Sequence, residues 1–463
     1  MKKNIVVGFV VFIIFVVGGM LLFIDDIHDI QPNEKLLLPD PPEIKQEVAV
    51  VWQSGIKIAS GDGFKGPWRM NQSVWDYVDD PTVVINDEGL IAVAWVDQDQ
   101  MDIFLQIYES DGKKRFEKPV NVSQSPNIFS WLPRIVTSGQ EINNVYILWQ
   151  EIVFSGGSHG GEIFFARSID GGRTFTRSLN LSNSIAGDGK GRLTLRYWHN
   201  GSLDLALSPQ GNLYAAWTEF EGKLWFSRSI DGGDSFSKPM VITGEVGAKP
   251  ARGPSLAIGT DGVIYLVWAV GEDPMADIHF AKSEDGGQTF SQPKVVFESD
   301  GHADAPKIVV DKDGGLHLVF AESPFGPFRQ YYIYYTRSNN GGLTFEKPRR
   351  ISGLREGFES HHFPCLALDG VGNIYIIWEH FPDFRGRSFG LGFIYSDNGG
   401  KTFSSPSIIP GSANSEIGFT GNLQGLLTRK LSVNAKGIIA VVNSFFERNE
   451  TSQIWLFQGQ INE

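Results

Sequence analysis

Acidic residues recur just past apolar stretches that end in an aromatic: Asp97, Glu151, Glu219, Glu322 and Glu379. Paired carboxylates, or a carboxylate beside a tyrosine, are what acid–base cleavage of a glycosidic bond requires. Other segments bordering these stretches carry Arg134, Arg252, His302 with Asp304, the pair His361-His362, and then His380, Arg385 and Arg387. Guanidinium groups bind anions in a fixed fork, and imidazoles exchange protons near neutrality. Trp75, Trp131, Tyr197 and Trp198 add flat aromatic faces of the kind on which sugar rings rest. Each group also has a plain structural use. The acids serve equally as strand-end caps or partners of a neighbouring arginine, a histidine as a hydrogen-bonded packing residue, and an indole as a core plate. A metal held by His302, Asp304 and His361 or His362 is a further alternative, but the spacing matches no recognised ligand signature. No metal and no cofactor is therefore assigned.

A repeat determines how these residues are carried. Ser168-Ile169-Asp170-Gly171-Gly172-Arg173-Thr174-Phe175 returns around Asp231 and Asp285, and then around Asn340 and Asn398, where the acid has become an amide. A decayed copy surrounds Asp111, and successive full copies are roughly 54 to 61 residues apart, a propeller-sized period. Ahead of each copy runs an apolar strand ending in an aromatic: Ile91–Trp95, Val145–Trp149, Leu213–Trp217, Ile264–Trp268, Leu316–Phe320 and Ile374–Trp378. Ile438–Val442 follows the last copy. Glycine-rich turns precede these strands. Each unit reads as a four-stranded antiparallel blade, so the fold class is all-β and the architecture a β-propeller. Seven units are counted, with six plus an irregular module as the alternative. Val48–Trp52 is placed to supply the last unit's missing outer strand. Within the repeat, the acid or amide accepts from turn amides, the glycines take positive φ, and the phenylalanine packs between sheets. A calcium loop would need further alternating acids and a distal glutamate. Strand direction puts these turns on one face and the longer, chemistry-bearing loops on the other.

Three regions are expected: 1–24 as a signal anchor or transmembrane segment, 25–47 as a proline-rich acidic linker, and 48–463 as the propeller. The apolar run from Ile5 to Ile24 just suffices to cross a bilayer, and Lys2 and Lys3 before it orient the body outward. The expected location is the cell membrane, single-pass with the body outside, or secreted if the segment is a cleaved signal. Net charge is −13 with no basic run, which argues against nucleic acid as a partner. Cys365 is the single cysteine, so no intrachain disulfide forms. Oligomeric state is not readable.

The repeated Ser-x-Asp-x-Gly-x-Thr-Phe motif resembles that of the BNR or Asp-box propellers, best known from sialidases, and the repeat unit covers nearly all of the chain beyond the linker. The resemblance implies three arginines on a substrate carboxylate, a Tyr–Glu nucleophile pair and an aspartic general acid. The family's Phe/Tyr-Arg-Ile-Pro signature has its nearest counterpart in Leu132-Pro133-Arg134-Ile135, where the proline stands before the arginine. On this basis Arg134 and Arg252 would bind an anionic group, with Glu219 or Glu322 activating a tyrosine or water. Trp131, Tyr197, Trp198, His302, Asp304, His361, His362, Glu379 and Arg385 would contact substrate. The expected substrate is a surface or environmental glycan. The alternative is a non-catalytic propeller that binds a glycan or an envelope protein.

Overall fold

The computed structural model describes residues 50–62, 76–152, 162–183, 192–193, 198–199, 202–218, 222–243, 249–271, 275–327, 329–353, 357–420, 429–447 and 451–461. The expected anchor (1–24) and linker (25–47), together with Trp75, Tyr197 and Glu219, lie outside them. Trp198 is described only as backbone, paired with Leu193 in a short ladder. Among the described residues every regular element is a strand, and no helix is long and apolar enough to cross a membrane.

The strands form antiparallel meanders in chain order. The first sheet takes Val78–Ile85, Ile91–Asp97, Asp102–Tyr108 and Val120–Asn121. The second takes Ser130–Ser138, Asn144–Glu151, Glu162–Ser168 and Leu179–Asn180, and the third runs from Leu203–Leu207 to Met240–Thr243. The fourth (Ala251–Ile258 to Lys294–Phe297) and fifth (His302–Val310 to Arg349–Arg350) are joined only by a parallel bridge between Ala276 and His302. The sixth runs from Ser360–Leu368 to Ser407–Ile408. The closing sheet combines early and late segments: beside Leu431–Val433 and Ile438–Glu447, the strand Thr451–Ile461 accepts both Val50–Trp52 and Ile56–Asp62 as outer strand, with Val50 opposite Ile461 and Asp62 opposite Thr451. The first strand of each sheet packs on that of the next, and Leu431–Val433 packs back on Val78–Ile85, so the sheets form a propeller-like ring.

The aromatic-ended strands predicted from sequence are the second strands of these meanders. Their indoles Trp149, Trp217, Trp268 and Trp378 are among the largest fully buried side chains. These second strands are buried along nearly their whole length because each sheet is covered on both sides by neighbours in the ring.

Each full copy of the repeated turn joins a sheet's third and fourth strands and reaches the sheet before it. In the third sheet, Asp231 Oδ1 accepts from Ser229 Oγ and the Ser235 amide, and its Oδ2 accepts from Ser235 Oγ at 2.5 Å. Asn340 keeps the geometry with one bond reversed, its Nδ2 donating to Thr344 Oγ1 at 2.8 Å. The amide thus replaces the acid without loss of a partner. Arg167 of the second sheet donates to the Gly232 carbonyl at 2.6 Å, and Arg228 of the third donates to Gly286 at 2.6 Å. Phe236 and Phe290 meet Phe165 and Phe226 of the preceding sheets edge-on, both at 4.8 Å. The repeated turn is therefore a latch between adjacent sheets.

Five first strands share an irregularity that the sequence reading did not anticipate. A register shift falls at Asp79/Thr82, Trp131/Arg134, Arg252/Ser255, Asp304/Lys307 and His362/Cys365. Within each shift a residue at positive φ precedes a proline: Asp80 (50°), Leu132 (54°), Gly253 (58°), Ala305 (54°) and Phe363 (53°). These are β-bulges, in which one extra residue puts positions i and i+3 on the same side of the strand. Amides freed near the bulges are capped from the preceding first strand: Gly253 donates to Ser202 Oγ (2.7 Å) and Leu256 to Asp204 Oδ2 (2.8 Å).

The latch makes a stability prediction. Gly287 has φ +82°, and a Cβ there would come within 2.7 Å of the Phe226 ring, whereas Gly262 at φ +84° faces open space. Gly262→Ala should cost about 1 kcal/mol from backbone strain alone, and Gly287→Ala about 2–4 kcal/mol because the ring must also move. Denaturant unfolding of the two variants checks this, and equal losses would remove the close-packing role.

Candidate functional site

At the end of the ring opposite the latches, residues of the fourth, fifth and sixth sheets converge. Arg252, Asp304 and His362 occupy the same position in three successive strands, the last residue before the bulge. The Arg252 guanidinium lies 3.3 Å from Asp304 Oδ2, donates through Nε to the Gly271 carbonyl at 2.9 Å, and stands 3.2 Å from His302 Nε2. His302 Nδ1 is 2.9 Å from the Tyr331 hydroxyl. Tyr331 stacks on His362 with centroids 4.0 Å apart and 9° between planes, and His362 Nε2 is 4.0 Å from Asp304 Oδ2. Tyr331 is held by its own backbone, since its amide donates to Ser360 Oγ and its carbonyl accepts from the His361 amide, both at 2.9 Å.

Proton positions in this chain follow from the donor inventory. A guanidinium only donates, so His302 Nε2 must accept from Arg252, and the proton of the neutral ring sits on Nδ1. That N–H then donates to the Tyr331 oxygen, the polarity that stabilises a phenolate. Burial is the largest influence on Asp304 and opposes its ionisation, but Arg252, His302 and His362 together with the Ala305 amide outweigh it and hold the carboxyl below the usual carboxylate range. Burial pushes His362 down to about 4, with Asp304 acting in the other direction, so this ring is neutral near pH 7.

The other expected site residues are distributed differently. Glu322 is buried and raised by burial, with Oε1 accepting from Ser299 Oγ at 2.8 Å. Glu151 is bound likewise by Trp149 Nε1 at 2.9 Å, and Glu379 by Lys430 Nζ at 2.5 Å. These recurring acids tie strand ends together. Trp131 is 6% exposed within the apolar core of the early sheets and offers no open face. Arg385 is on the surface, paired with Asp383 at 2.5 Å and lying over the Phe358 ring. His361 turns to His380 and Glu359 rather than to Asp304.

Arg134 belongs to a second charged group, in which Arg134 and Lys307, each just past a bulge, meet Asp204 and Arg429. It is 1% exposed, its Nε is 3.9 Å from Asp204 Oδ1, and Arg429 Nη2 reaches the same oxygen at 2.8 Å. Burial lowers Arg134 to about 10 and Lys307 to about 8, and both sense Asp204, Arg429 and Cys365. Side chains from so many sheets meet only on the axis of the ring. Among the described residues the Arg252 cluster thus contains one arginine and a Tyr–His pair, while a Tyr–Glu pair stands apart from it, where Tyr334 hydrogen-bonds Glu322.

Tyr331 was absent from the expected set. It stands in a run of tyrosines starting a third strand, and nothing in its spacing marks it. The bulge does have a signal: Asp80-Pro81, Leu132-Pro133, Gly253-Pro254, Ala305-Pro306 and Phe363-Pro364 recur at the start of the first strands.

No protein-family model matches the chain, and no curated protein sequence does. Solved structures do. An ulvan lyase, described as a new family of polysaccharide lyase, aligns over 87% of this chain and 95% of its own at 12% identity, with TM-score 0.53. The polysaccharide lyase Uly1 aligns over 88% and 99% at 12% identity, with TM-score 0.51. A leech intramolecular trans-sialidase aligns over 69% and 68% at 10% identity, with TM-score 0.47. At such identities the likeness to the lyases shows the fold alone.

The cluster also sets an acid sensitivity. His362 has a lowered folded-state value, so the unfolded chain binds the extra proton first, and stability is lost as pH falls from about 6.5 towards 4. Unfolding free energies measured across that window should fall less steeply for His362→Gln than for the unsubstituted chain. An unchanged slope would place His362 in a solvated setting.

Proposed function

We propose that the chain is a glycan-acting enzyme, a seven-bladed propeller whose loop face cleaves an acidic polysaccharide by proton transfer through Tyr331 and His302. The observation that carries this reading is His302 held between Arg252 and Tyr331, at 3.2 and 2.9 Å. A base at Tyr331 oxygen would gain stabilisation of its anionic form from the His302 Nδ1 proton, and a cation at Arg252 suits a substrate carboxylate.

Elimination fits these groups better than hydrolysis by two carboxylates. In elimination the base removes the proton on the carbon beside the sugar carboxyl. The bond from the neighbouring carbon to the bridging oxygen then breaks, a carbon–carbon double bond forms, and the departing oxygen takes up a proton. Hydrolysis needs one carboxyl protonated as general acid, with a second as nucleophile or base. Asp304, the carboxylate of this cluster, is kept ionised by Arg252 and has no proton to give near neutrality. The fold shared with two polysaccharide lyases supports the same direction, and ulvan, named for one of them, is the first polymer to try.

In this reading residues 1–24 anchor the ring in a membrane, 25–47 hold it away, and the glycan is met outside the cytoplasm. The apolar run after Lys2 and Lys3 supports that placement. A mature protein beginning near residue 25 would make it secreted instead.

The test offers a panel of acidic polysaccharides and follows the ultraviolet absorbance of new unsaturated ends alongside reducing sugar. The expected result is both signals together, with Tyr331→Phe lowering kcat by about 10²–10⁴-fold and leaving KM within a few fold. Reducing ends without unsaturation would show hydrolysis, and oligosaccharide retention without turnover would show a binding propeller. Either would overturn the eliminative reading.

A further inference from the structure

Beside the Tyr331 cluster lies a second group that the proposed reaction does not use. His361 and His380 are directly opposed in the antiparallel ladder of the sixth sheet, and opposed residues project to the same face. Glu359 stands two residues before His361 and brings its Oε2 to 3.7 Å from His361 Nε2. One donor atom from each of the three residues lies within 4.8 Å of the other two. We propose that Glu359, His361 and His380 bind a divalent transition-metal ion, with zinc as the best match.

The chemistry of the donors selects the ion. Two imidazoles and one carboxylate are the ligand set of open zinc sites, in which a fourth position is left for water or substrate. Calcium and magnesium prefer oxygen and would not select two imidazoles. Tetrahedral zinc at bonds of about 2.0–2.2 Å needs its donors roughly 3.3–3.6 Å apart, so modest side-chain rotation from the observed spacing completes the site. The two imidazoles are neighbours, with centroids 5.3 Å apart and planes tilted by 38°.

The state of His361 points independently to a ligand. It is 5% exposed, and its Nδ1 is buried without a hydrogen-bond partner among the described residues. A buried imidazole with an unsatisfied nitrogen is costly, and metal coordination is one of the few ways to fix such a ring.

The backbone around the three donors is held in place. Gln330 Nε2 donates to the Gly357 and Glu359 carbonyls at 2.9 and 2.6 Å, and the Phe384 amide donates to the Phe358 carbonyl at 2.8 Å. The His380 amide donates to Gly390 at 3.0 Å. Gln330 thus acts on the site as a positioning residue through the Glu359 main chain.

The experiment strips the full-length chain with a chelator and titrates it with Zn²⁺ alone in a calorimeter. One zinc per chain is expected, with affinity falling at least about 100-fold in His380→Gln and roughly 10-fold in Gln330→Ala. His380 is only partly buried, so its variant should keep the fold, which circular dichroism verifies. Co²⁺ should give the visible absorption of a tetrahedral site in the unsubstituted chain and lose it in His380→Gln. No saturable binding, or unchanged binding in His380→Gln, would overturn the proposal. Neither readout depends on polysaccharide turnover, so this site and the Tyr331 reading stand or fall separately.

Discussion

The bulge shared by five first strands is the constraint on which the site depends. In an unbroken strand Asp304 and Lys307 would point to opposite faces, and so would Arg252 and Ser255 or His362 and Cys365. One extra residue at positive φ, followed by proline, brings each pair to the same side. The centre of the ring therefore carries two tiers of polar side chains. Residues before the bulge form the loop-face cluster around Arg252, Asp304 and His362, and two after it, Arg134 and Lys307, join Asp204 of the unbulged third sheet in the axial group. A non-glycine residue in this conformation costs on the order of 1–3 kcal/mol, and it persists here because the preceding first strand takes up amides at or just past it, as Asp80 Oδ2 does for Leu132 and Ser255 Oγ for Ile308.

The two tiers differ in electrostatic character. On the axis, Arg134, Lys307 and Arg429 surround Asp204, and burial lowers Arg134 and Lys307. At the loop face Arg252 serves two partners at once, holding Asp304 ionised and setting the tautomer of His302. That division gives the loop face a hydrogen-bonded chain from Arg252 through His302 to Tyr331, while the axial charges offset one another deep in the ring. The Glu359–His361–His380 group is a third arrangement, neutral apart from its carboxylate and built on a cross-strand pair rather than on a bulge.

The fold was legible because its signals are local and repeated. Asp231 or Asn340, with the glycines and phenylalanine that follow, encode a complete turn within eight residues, and the apolar strand before each copy shows where the blade's centre lies. The outer strand expected at Val48–Trp52 was readable because the last unit lacked its repeated turn and outer strand, and Val50–Trp52 takes that place. The site was less legible because its members come from different sheets. Arg252, His302, Asp304 and His362 could be named from residue type and loop position. Their association could not, since it depends on a bulge whose proline signal is weak. Tyr331 carries no local mark at all, and the recurring acids Glu151, Glu322 and Glu379 have catalytic chemistry yet are bound into strand ends. A carboxylate's role is decided by what surrounds it, and the surroundings are tertiary.

The central claim is that Arg252, His302 and Tyr331 form one site for an acidic sugar. Crystallography of the Tyr331→Phe variant with an acidic oligosaccharide tests it most directly. The account predicts the sugar carboxylate at Arg252, with the carbon beside it facing the position the Tyr331 oxygen would occupy. An oligosaccharide bound on the latch face, or on the loop face with its carboxylate turned away from Arg252, would contradict it.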